Sequence, residues 1–230
     1  MSDADVLVRC EGVSRTFGNG PSAVRAVRDA TFEVSPGEHV ALVGSSGSGK
    51  STLLHLIAGL DQPTRGTITW PALRGAPLRP GPVAVVFQAP SLLPPLDVLE
   101  NVALPLLLLG VADDDARSSA RIALERLSLV DVAAKLPEEL SGGQAQRVAV
   151  ARALVAAPAL ILADEPTGQL DSSTAADVVE ALLETARVTG AALVIATHDP
   201  AVAQHLAEQW TMADGHVSVD PNRGVLSCSP

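Results

Sequence analysis

The chain has 230 residues and a formal net charge of −10, with 26 acidic and 16 basic residues. Its length fits one domain, or at most two small ones, with ample apolar residues for a core. The acidic balance argues against a broad basic surface, so we expect no nucleic-acid partner. Its apolar runs fall short of the roughly 20 residues that a membrane-spanning helix needs, and its acidic start lacks the apolar region of a secretory signal. We therefore expect a soluble chain, unless a partner holds it at a membrane.

The two cysteines, Cys10 and Cys228, lie near opposite ends of the chain. They show no metal-ligand spacing, and a disulfide is not expected in a cytosolic setting. We predict that both are inert thiols.

Three short apolar runs predict buried parallel strands, because such strands are apolar on both faces. They are 40–43, 160–163 and 192–196, and each ends in polar residues. Segments with a helical pattern lie at about 50–59, 117–130, 142–156, 172–188 and 199–208. This alternation predicts an α/β core with helices on both faces. Ligands bind beyond the carboxyl ends of such strands, so the three polar clusters should converge on one site.

Two further stretches interrupt this pattern. Residues 71–82 are rich in proline and glycine, which predicts a loop. Residues 89–156 contain no convincing buried strand and are predicted to form a mostly helical insertion. We therefore expect a core with a β subdomain at about 1–88 and 157–219, a helical subdomain at about 89–156 and a mobile tail at about 220–230.

Residues 44–51, with the sequence GSSGSGKS, match the phosphate-binding pattern G-x-x-x-x-G-K-[ST]. The glycines let backbone N–H groups surround phosphate oxygens, and the following helix adds its positive N-terminal end. Lys50 is one of only two lysines, beside fourteen arginines. It would bridge the β- and γ-phosphates, and the Ser51 hydroxyl would bind Mg²⁺. A plain Gly/Ser turn is the alternative, but the position between a predicted strand and a helix favours a phosphate site.

Asp164 and Glu165 follow the second apolar run. Two carboxylates at a strand end can be solvated charges at a helix start. Beside a phosphate loop, however, an acidic residue is needed for Mg²⁺. We predict that Asp164 binds the metal through water and that Glu165 is the general base that orients the attacking water.

The segment LSGGQ at 140–144 could by itself be a serine helix cap followed by a glycine turn. Together with the phosphate loop, Gln88, the LADEP segment at 162–166, Asp171 and His198, in that order, it resembles the signature motif of ABC ATPases. The resemblance extends from about Val6 to Val217. It implies a P-loop (RecA-like) core with a mostly parallel sheet, a small antiparallel β subdomain and an inserted α-helical subdomain.

The resemblance also implies roles for the residues of the site. Two such domains pair head to tail, so the signature motif of one faces the γ-phosphate bound by the other. Catalytic roles fall to Glu165, His198 and Gln88, and contacts to Mg²⁺ to Ser51, Gln88 and Asp164. The residues implied in ATP binding are Phe17, Gly44, Ser45, Ser46, Gly47, Ser48, Gly49, Lys50, Ser51, Thr52, Ser141, Gly142, Gly143, Gln144 and Asp171.

Phe17 corresponds to the aromatic residue that stacks on adenine in this family, where tyrosine is often found. Phenylalanine keeps the aromatic face and loses only the hydroxyl, so stacking is expected here too. A core phenylalanine is the alternative.

Within the family, several stretches resemble the macrolide-export and lipoprotein-release branch. Pro105 and the pair Thr167-Gly168 are especially similar to it. The chain departs from the branch at 70–82, where a longer segment with a helix is usual.

The resemblance implies an ATPase subunit that lies on the cytoplasmic face of the membrane and powers a separate transmembrane permease. A second ATP-binding subunit, expected to be an identical chain, would complete the two sites. We expect export or extraction, with the permease in contact with a groove around 89–96. An importer ATPase and a soluble ABC protein of translation or DNA repair are the alternatives. The single cassette and the lack of sustained heptads disfavour the soluble proteins.

Overall fold

A computed structural model describes residues 6–73, 75, 77–168 and 170–219, without the side chains of Ser172 and Ser173. The predicted tail at 220–230 and Cys228 lie outside these residues. The strands are β1 Val8–Phe17, β2 Val24–Val34, β3 His39–Val43, β4 Arg65–Thr69, β5 Val83–Val86, β6 Leu160–Asp164, β7 Ala192–Thr197, β8 Glu208–Ala213 and β9 His216–Val219. The α-helices are α1 Lys50–Ile57, α2 Val98–Leu108, α3 Asp113–Arg126, α4 Gly142–Leu154, α5 Ser172–Thr189 and α6 Pro200–Ala203.

The larger sheet among the described residues has the strand order β5-β6-β7-β3-β8-β9. Its first five strands are parallel, and β9 pairs antiparallel with β8. The three predicted strands are its centre, as β6, β7 and β3. Their carboxyl ends lie at one edge of the sheet, which confirms the α/β fold class and brings the three polar clusters together.

The central strands β3, β6 and β7 are buried on both faces, and alternate residues of each strand point to opposite sides. Ile161 and Leu193 pack into one apolar cluster with α2, α3, α4 and α5. Leu42 and Leu162 pack into a second cluster with α1 and the smaller sheet. The central strands are therefore held from both sides, which fixes the edge that carries the site.

The smaller sheet is antiparallel, with the order β2-β1-β4. Phe17 at the end of β1 pairs with Val24 at the start of β2. Two residues further along β2, the carbonyl of Ala26 lies against Gly49 of the phosphate loop. The small sheet therefore carries Phe17 to the side of the predicted nucleotide site.

The segment between β5 and β6 contains helices and no strand, as predicted for 89–156. Its first helix, α2, lies outside the segments that the sequence pattern predicts to be helical, and it holds Pro105 within its last turn. Asp97 caps this helix, since its side chain accepts from the backbone N–H of Glu100 while the Glu100 side chain accepts from that of Asp97. This capping box stabilises the helix start, whereas Pro105 has no N–H to donate to the carbonyl of Asn101, four residues earlier.

Two predicted helices have the wrong bounds. The helix predicted at 117–130 is α3 and begins at Asp113, because the acidic residues 113–115 favour the positive end of a helix. The helix predicted at 199–208 is wrong beyond Ala203. The chain instead enters β8, where the alternate residues Trp210 and Met212 are buried against the core.

The described part of the predicted loop at 71–82 forms a 3₁₀ turn at Pro71–Leu73 and then leads to β5. The loop segment covers the carboxyl end of α1. The indole N–H of Trp70 donates to the carbonyl of Ile57 at 3.0 Å, and the guanidinium of Arg79 donates to that of Ala58. These bonds satisfy carbonyls that a helix end leaves free. No helix in the described part of the chain is long and apolar enough to cross a membrane.

Candidate phosphate and nucleotide site

The phosphate loop connects β3 to α1 and is held closely against the rest of the core. A Cβ atom on Gly44 would lie 2.2 Å from the carbonyl oxygen of Met212. One on Gly49, whose φ is 109°, would lie 2.1 Å from the carbonyl oxygen of Ala26. Glycine is therefore required at both positions, and the N-terminal end of α1 opens directly after Gly49.

The outer part of the loop, Ser45 to Gly47, is exposed, whereas Ser48 and Lys50 are buried. The ammonium group of Lys50 donates to the carbonyls of Gly44 at 2.8 Å and Ser45 at 3.1 Å. The hydroxyl oxygen of Ser48 is buried and has no hydrogen-bond partner. Ser51 and Thr52 continue into the first turn of α1. A buried cation, an unpaired hydroxyl and a helix N-terminus together form a cradle suited to an anion.

Three predicted site residues meet at one carboxylate oxygen. Oε1 of Glu165 lies 3.5 Å from Nζ of Lys50 and 3.3 Å from Nδ1 of His198. These residues follow β6, β3 and β7, which are neighbours in the sheet. The Glu165 backbone has a φ of 45°, which turns the chain sharply after the strand. The predicted convergence of the three strand ends is therefore present.

Asp164 is the last residue of β6 and is 8% exposed. Burial raises the pKa of its carboxyl, against the opposing effects of a hydrogen bond from Ser51 and the nearby His55 and Lys50. Its Oδ1 atom is buried and has no hydrogen-bond partner. A desolvated carboxylate with an unused oxygen beside a serine hydroxyl suits a divalent cation, whose charge would offset the cost of burial.

Gln88 is exposed just after β5 and reaches the same group. A Cβ atom on Gly168 would lie 3.6 Å from Nε2 of Gln88 and 3.7 Å from Oε2 of Glu165. The side chains of Gln88 and Glu165 thus both lie close to Gly168. Glu165, Gly168 and His198 also line a small pocket of about 170 Å³.

The LSGGQ segment lies at the start of α4. Ser141 caps the helix, with its hydroxyl accepting from the backbone N–H of Gln144 at 3.2 Å. A Cβ atom on Gly142 would meet nothing within 4 Å, whereas one on Gly143 would lie 2.9 Å from Cγ2 of Thr174. Asp171 holds Thr174 by accepting from its backbone N–H and its hydroxyl. The capped helix start and Asp171 therefore lie together.

Phe17 is not a core residue, since 43% of its surface is exposed. The guanidinium carbon of Arg15 lies 4.5 Å from the centre of its ring. The structure therefore leaves an aromatic surface accessible beside the phosphate loop.

Sequence reasoning missed two residues that contact this site. Gln146, which is 2% exposed, donates to the carbonyl of Phe87 at 3.0 Å, and Arg152 donates to the carbonyls of Ser91 at 2.9 Å and Pro90 at 3.2 Å. Both come from α4 and bracket Gln88. The available signal was a polar residue on the face of α4 that also buries Ala149 and Val150, three and four positions further on.

A cavity of about 510 Å³ lies elsewhere, between α3, α4 and α5. None of the predicted site residues lines it.

Comparison with known proteins agrees with this geometry. The family model described as ABC transporter matches residues 27–168. The lipoprotein-releasing system ATP-binding protein LolD of Shewanella oneidensis is 40% identical over 223 residues, covering 94% of this chain and 97% of that protein. An uncharacterised ABC transporter ATP-binding protein of Mycobacterium tuberculosis is 42% identical over 225 residues, covering 94% and 91%.

Solved structures give the same result. The ATP-binding cassette MJ0796, a dimer in a post-hydrolysis state bound to ADP and Pi, superposes with a TM-score of 0.83 and 36% identity, covering 92% of this chain and 96% of that one. A component of the cbiONQ ABC transporter complex of Clostridium perfringens superposes with a TM-score of 0.79 and 27% identity, covering 94% and 88%. The chain belongs to the ABC transporter ATP-binding family and is an ATP-hydrolysing cassette of that family.

Proposed function

We propose that this cassette hydrolyses ATP between two copies of itself and thereby drives a separate membrane subunit that exports or extracts its substrate. The observation that carries the proposal is the meeting of Lys50, Glu165 and His198 at one carboxylate oxygen. A buried cation, a carboxylate and an imidazole at the mouth of a phosphate cradle can stabilise charge on a phosphate and position a water for phosphoryl transfer.

In this proposal the phosphate loop, Gly44 to Ser51 with Thr52, binds the triphosphate through its backbone N–H groups. Lys50 leaves the carbonyls of Gly44 and Ser45 and turns to the β- and γ-phosphates. Its charge is buried, so its attraction to an anion is screened little by water. Phe17 offers its exposed ring to the adenine.

The residues around Asp164 fit a bound Mg²⁺. Mg²⁺ takes oxygen ligands from the protein alongside substrate phosphates. Here the ligands would be the unpartnered buried Oδ1 of Asp164, the hydroxyl of Ser51 and the amide oxygen of Gln88. When bound, the ion would neutralise charge on the β- and γ-phosphates. We assign these three residues to it.

Hydrolysis then needs a positioned water. The Glu165 carboxylate would accept a hydrogen bond from this water and draw its proton as the oxygen attacks the γ-phosphorus. The bond between that phosphorus and the bridging oxygen of ADP breaks, which releases ADP and inorganic phosphate. His198 and Gln88 would hold the water and the γ-phosphate in line. The contact between Glu165 and His198 supports this pairing of roles.

The chain would complete its site with a second copy. The start of α4, at Ser141, Gly142, Gly143 and Gln144, is exposed at its first two residues, and its positive helix end suits an anion. Bound head to tail, this segment of one protomer would contact the γ-phosphate held by its partner, with Asp171 along the seam. A core at about 1–88 and 157–219 and a helical subdomain at about 89–156 would then close on each other with ATP.

The membrane partner is part of the same proposal. The relatives named as lipoprotein-releasing system proteins cover nearly all of this chain, which supports a peripheral subunit on the cytoplasmic face of the membrane. Leu93 is 41% exposed in the predicted contact groove at 89–96. An apolar side chain so exposed, on a loop next to Gln88, suits a surface that a permease covers.

The proposal is tested with tagged Glu165→Gln protein. We expect it to bind ATP, to hydrolyse it very slowly and to persist as a closed dimer, whereas Lys50→Ala should lose nucleotide affinity. Near-normal turnover by Glu165→Gln would remove Glu165 as the base.

A pull-down of the Glu165→Gln dimer with ATP, from detergent-solubilised membranes of its own cell, tests the partner. Recovery of an integral membrane protein with the ATP-bound form, and not with Lys50→Ala, is the expected result. A dimer without such a protein would refute the transport role. The topology of a recovered partner would separate export from import.

A further inference from the structure

The guanidinium group of Arg15 lies over one face of the Phe17 ring. The guanidinium carbon of Arg15 lies 4.5 Å from the ring centre. Its Nε donates to Oδ2 of Asp61 at 2.8 Å, and the side chains of Arg15 and Asp61 are only 24% and 26% exposed. The cation is thus held in place by an acid and is partly withdrawn from solvent.

This arrangement follows from the course of the chain. Arg15 and Phe17 are two residues apart in β1, so their side chains lie on the same side of the strand. Asp61 belongs to the turn that follows α1, where its backbone N–H donates to the carbonyl of His55. Arg15 therefore ties the aromatic ring to the carboxyl end of the phosphate-loop helix.

The opposite end of the same helix faces the phosphates. Lys50 begins α1, and an eight-residue helix is about 12 Å long. Beside Lys50, Gly49 touches Ala26 of β2, two residues from the strand partner of Phe17. Arg15 is held toward the Asp61 end, so a base attached to the phosphates would approach from the Lys50 end. That base would take the face of the ring that Arg15 leaves open.

We propose that Arg15 is a positioning residue for the adenine base, acting through the ring of Phe17. The inference rests on the proposed ATP site. A phenylalanine ring has no polar atom with which to fix its own orientation. The guanidinium, anchored by Asp61, holds the ring by a cation–π contact and covers the face that the base does not use. The ring then stands ready to stack with the base on its free face, so less ordering is required when ATP binds.

The experiment measures dissociation constants by calorimetry in the Glu165→Gln background, which prevents turnover. The variants are Arg15→Met, Arg15→Lys and Phe17→Leu, with Arg15→Met also combined with Phe17→Leu. Arg9→Met is the matched control, because Arg9 lies on the same strand, is equally exposed and also has an acidic partner, Glu33, at 2.6 Å. Each variant is titrated with ATP and with inorganic tripolyphosphate, which has no base.

Arg15→Met should weaken ATP binding roughly two- to fivefold, the range of an exposed cation–π contact, and should leave tripolyphosphate binding unchanged. Arg15→Lys should keep most of the parent's affinity for ATP, and Arg9→Met should leave that affinity unchanged. Phe17→Leu should weaken ATP binding at least about fivefold, as loss of base stacking does. In that background, Arg15→Met should add nothing, since its effect passes through the ring.

Other outcomes overturn the inference. An equal loss of tripolyphosphate affinity would mean that Arg15 supports the phosphate loop instead, and tighter ATP binding would mean that it blocks the base. If Arg15→Met weakened ATP binding equally in the parent and in Phe17→Leu, Arg15 would not act through the ring. If the Glu165→Gln parent itself failed to bind ATP, the proposed function would fall first, a result distinct from all of these.

Discussion

The side-chain amide of Gln146 donates a 3.0 Å hydrogen bond to the backbone carbonyl of Phe87, the residue before Gln88. Gln146 lies in the second turn of α4, whose capped start is Ser141. In the same helix, Arg152 binds the carbonyls of residues 90 and 91. One rigid helix therefore holds both sides of Gln88 and also presents the segment that would face the partner's nucleotide.

We expect Gln146→Leu to reduce ATP hydrolysis about tenfold while ATP affinity stays within about twofold. The substitution leaves the carbonyl of Phe87 without its partner, which costs roughly 1–3 kcal/mol and loosens the position of Gln88. Steady-state hydrolysis and equilibrium binding, measured on the same preparations, separate the two effects.

Gln204, an exposed residue at the carboxyl end of α6, offers a control. Gln204→Leu should leave both quantities unchanged. Unaltered hydrolysis in Gln146→Leu would show that α4 does not position Gln88.

The substitution Leu93→Asp tests the proposed contact between the groove at 89–96 and the membrane subunit. The loop that carries Leu93 is held by the fully buried Asn101, which accepts from the backbone N–H of Leu93 at 2.8 Å and donates to the carbonyls of Leu93, Leu96 and Asp97. Because the loop is fixed from below, Leu93→Asp should fold normally and keep basal hydrolysis. It should abolish stimulation of hydrolysis by the membrane subunit, since a charge would then be buried at the contact.

The measurement compares basal and partner-stimulated hydrolysis in reconstituted membranes. Val188→Asp, an equally polar change at an apolar residue that is 72% exposed on α5, should keep full stimulation. Stimulation that survives in Leu93→Asp would refute the contact groove.

Asp164 should lower the stability of the nucleotide-free protein. Its pKa is raised chiefly by burial, so the folded state holds its proton more tightly than the unfolded state. The cost of ionising it is absent below the ordinary pKa of an aspartate and fully present above the raised one. Asp164→Asn should therefore increase the free energy of unfolding at pH 7, because the amide carries no charge that burial would penalise.

Urea unfolding of both proteins as a function of pH checks this expectation. The advantage of Asp164→Asn should shrink as the pH falls toward the ordinary pKa, and the variant should lose Mg²⁺-dependent hydrolysis. An Asp164→Asn variant less stable than the parent at pH 7 would contradict a carboxylate whose burial outweighs its favourable contacts.

Cys10 should be chemically inert in the folded protein. It is 1% exposed in β1, and burial raises the pKa of its thiol to about 12. Almost no thiolate is then present at neutral pH, and the thiolate is the reactive form. In a Cys228→Ser background, iodoacetamide should label Cys10 only at the rate of unfolding, which mass spectrometry at several urea concentrations can follow. Rapid labelling without urea would disprove this.

Local patterns in the sequence determined the centre of this protein. The strands β3, β6 and β7 could be predicted because a continuous apolar run is a short-range signal of burial on both faces. Their polar ends, including Lys50, Glu165 and His198, could be placed together because parallel strands that share a sheet end at one edge. Each of these inferences needs only neighbouring residues and one rule of topology.

The tertiary structure decided what depends on residues distant in the chain. The segment after Ala203 has a helical pattern, yet Trp210 enters a strand because β3 offers it a partner and the core a place for its ring. Gln146 and Phe87 are 59 residues apart in sequence and meet only through the packing of α4 beside β5. Arg15 meets Asp61 because the small sheet lies over α1. Such contacts are set by the summed burial of many side chains, which no local window of sequence contains.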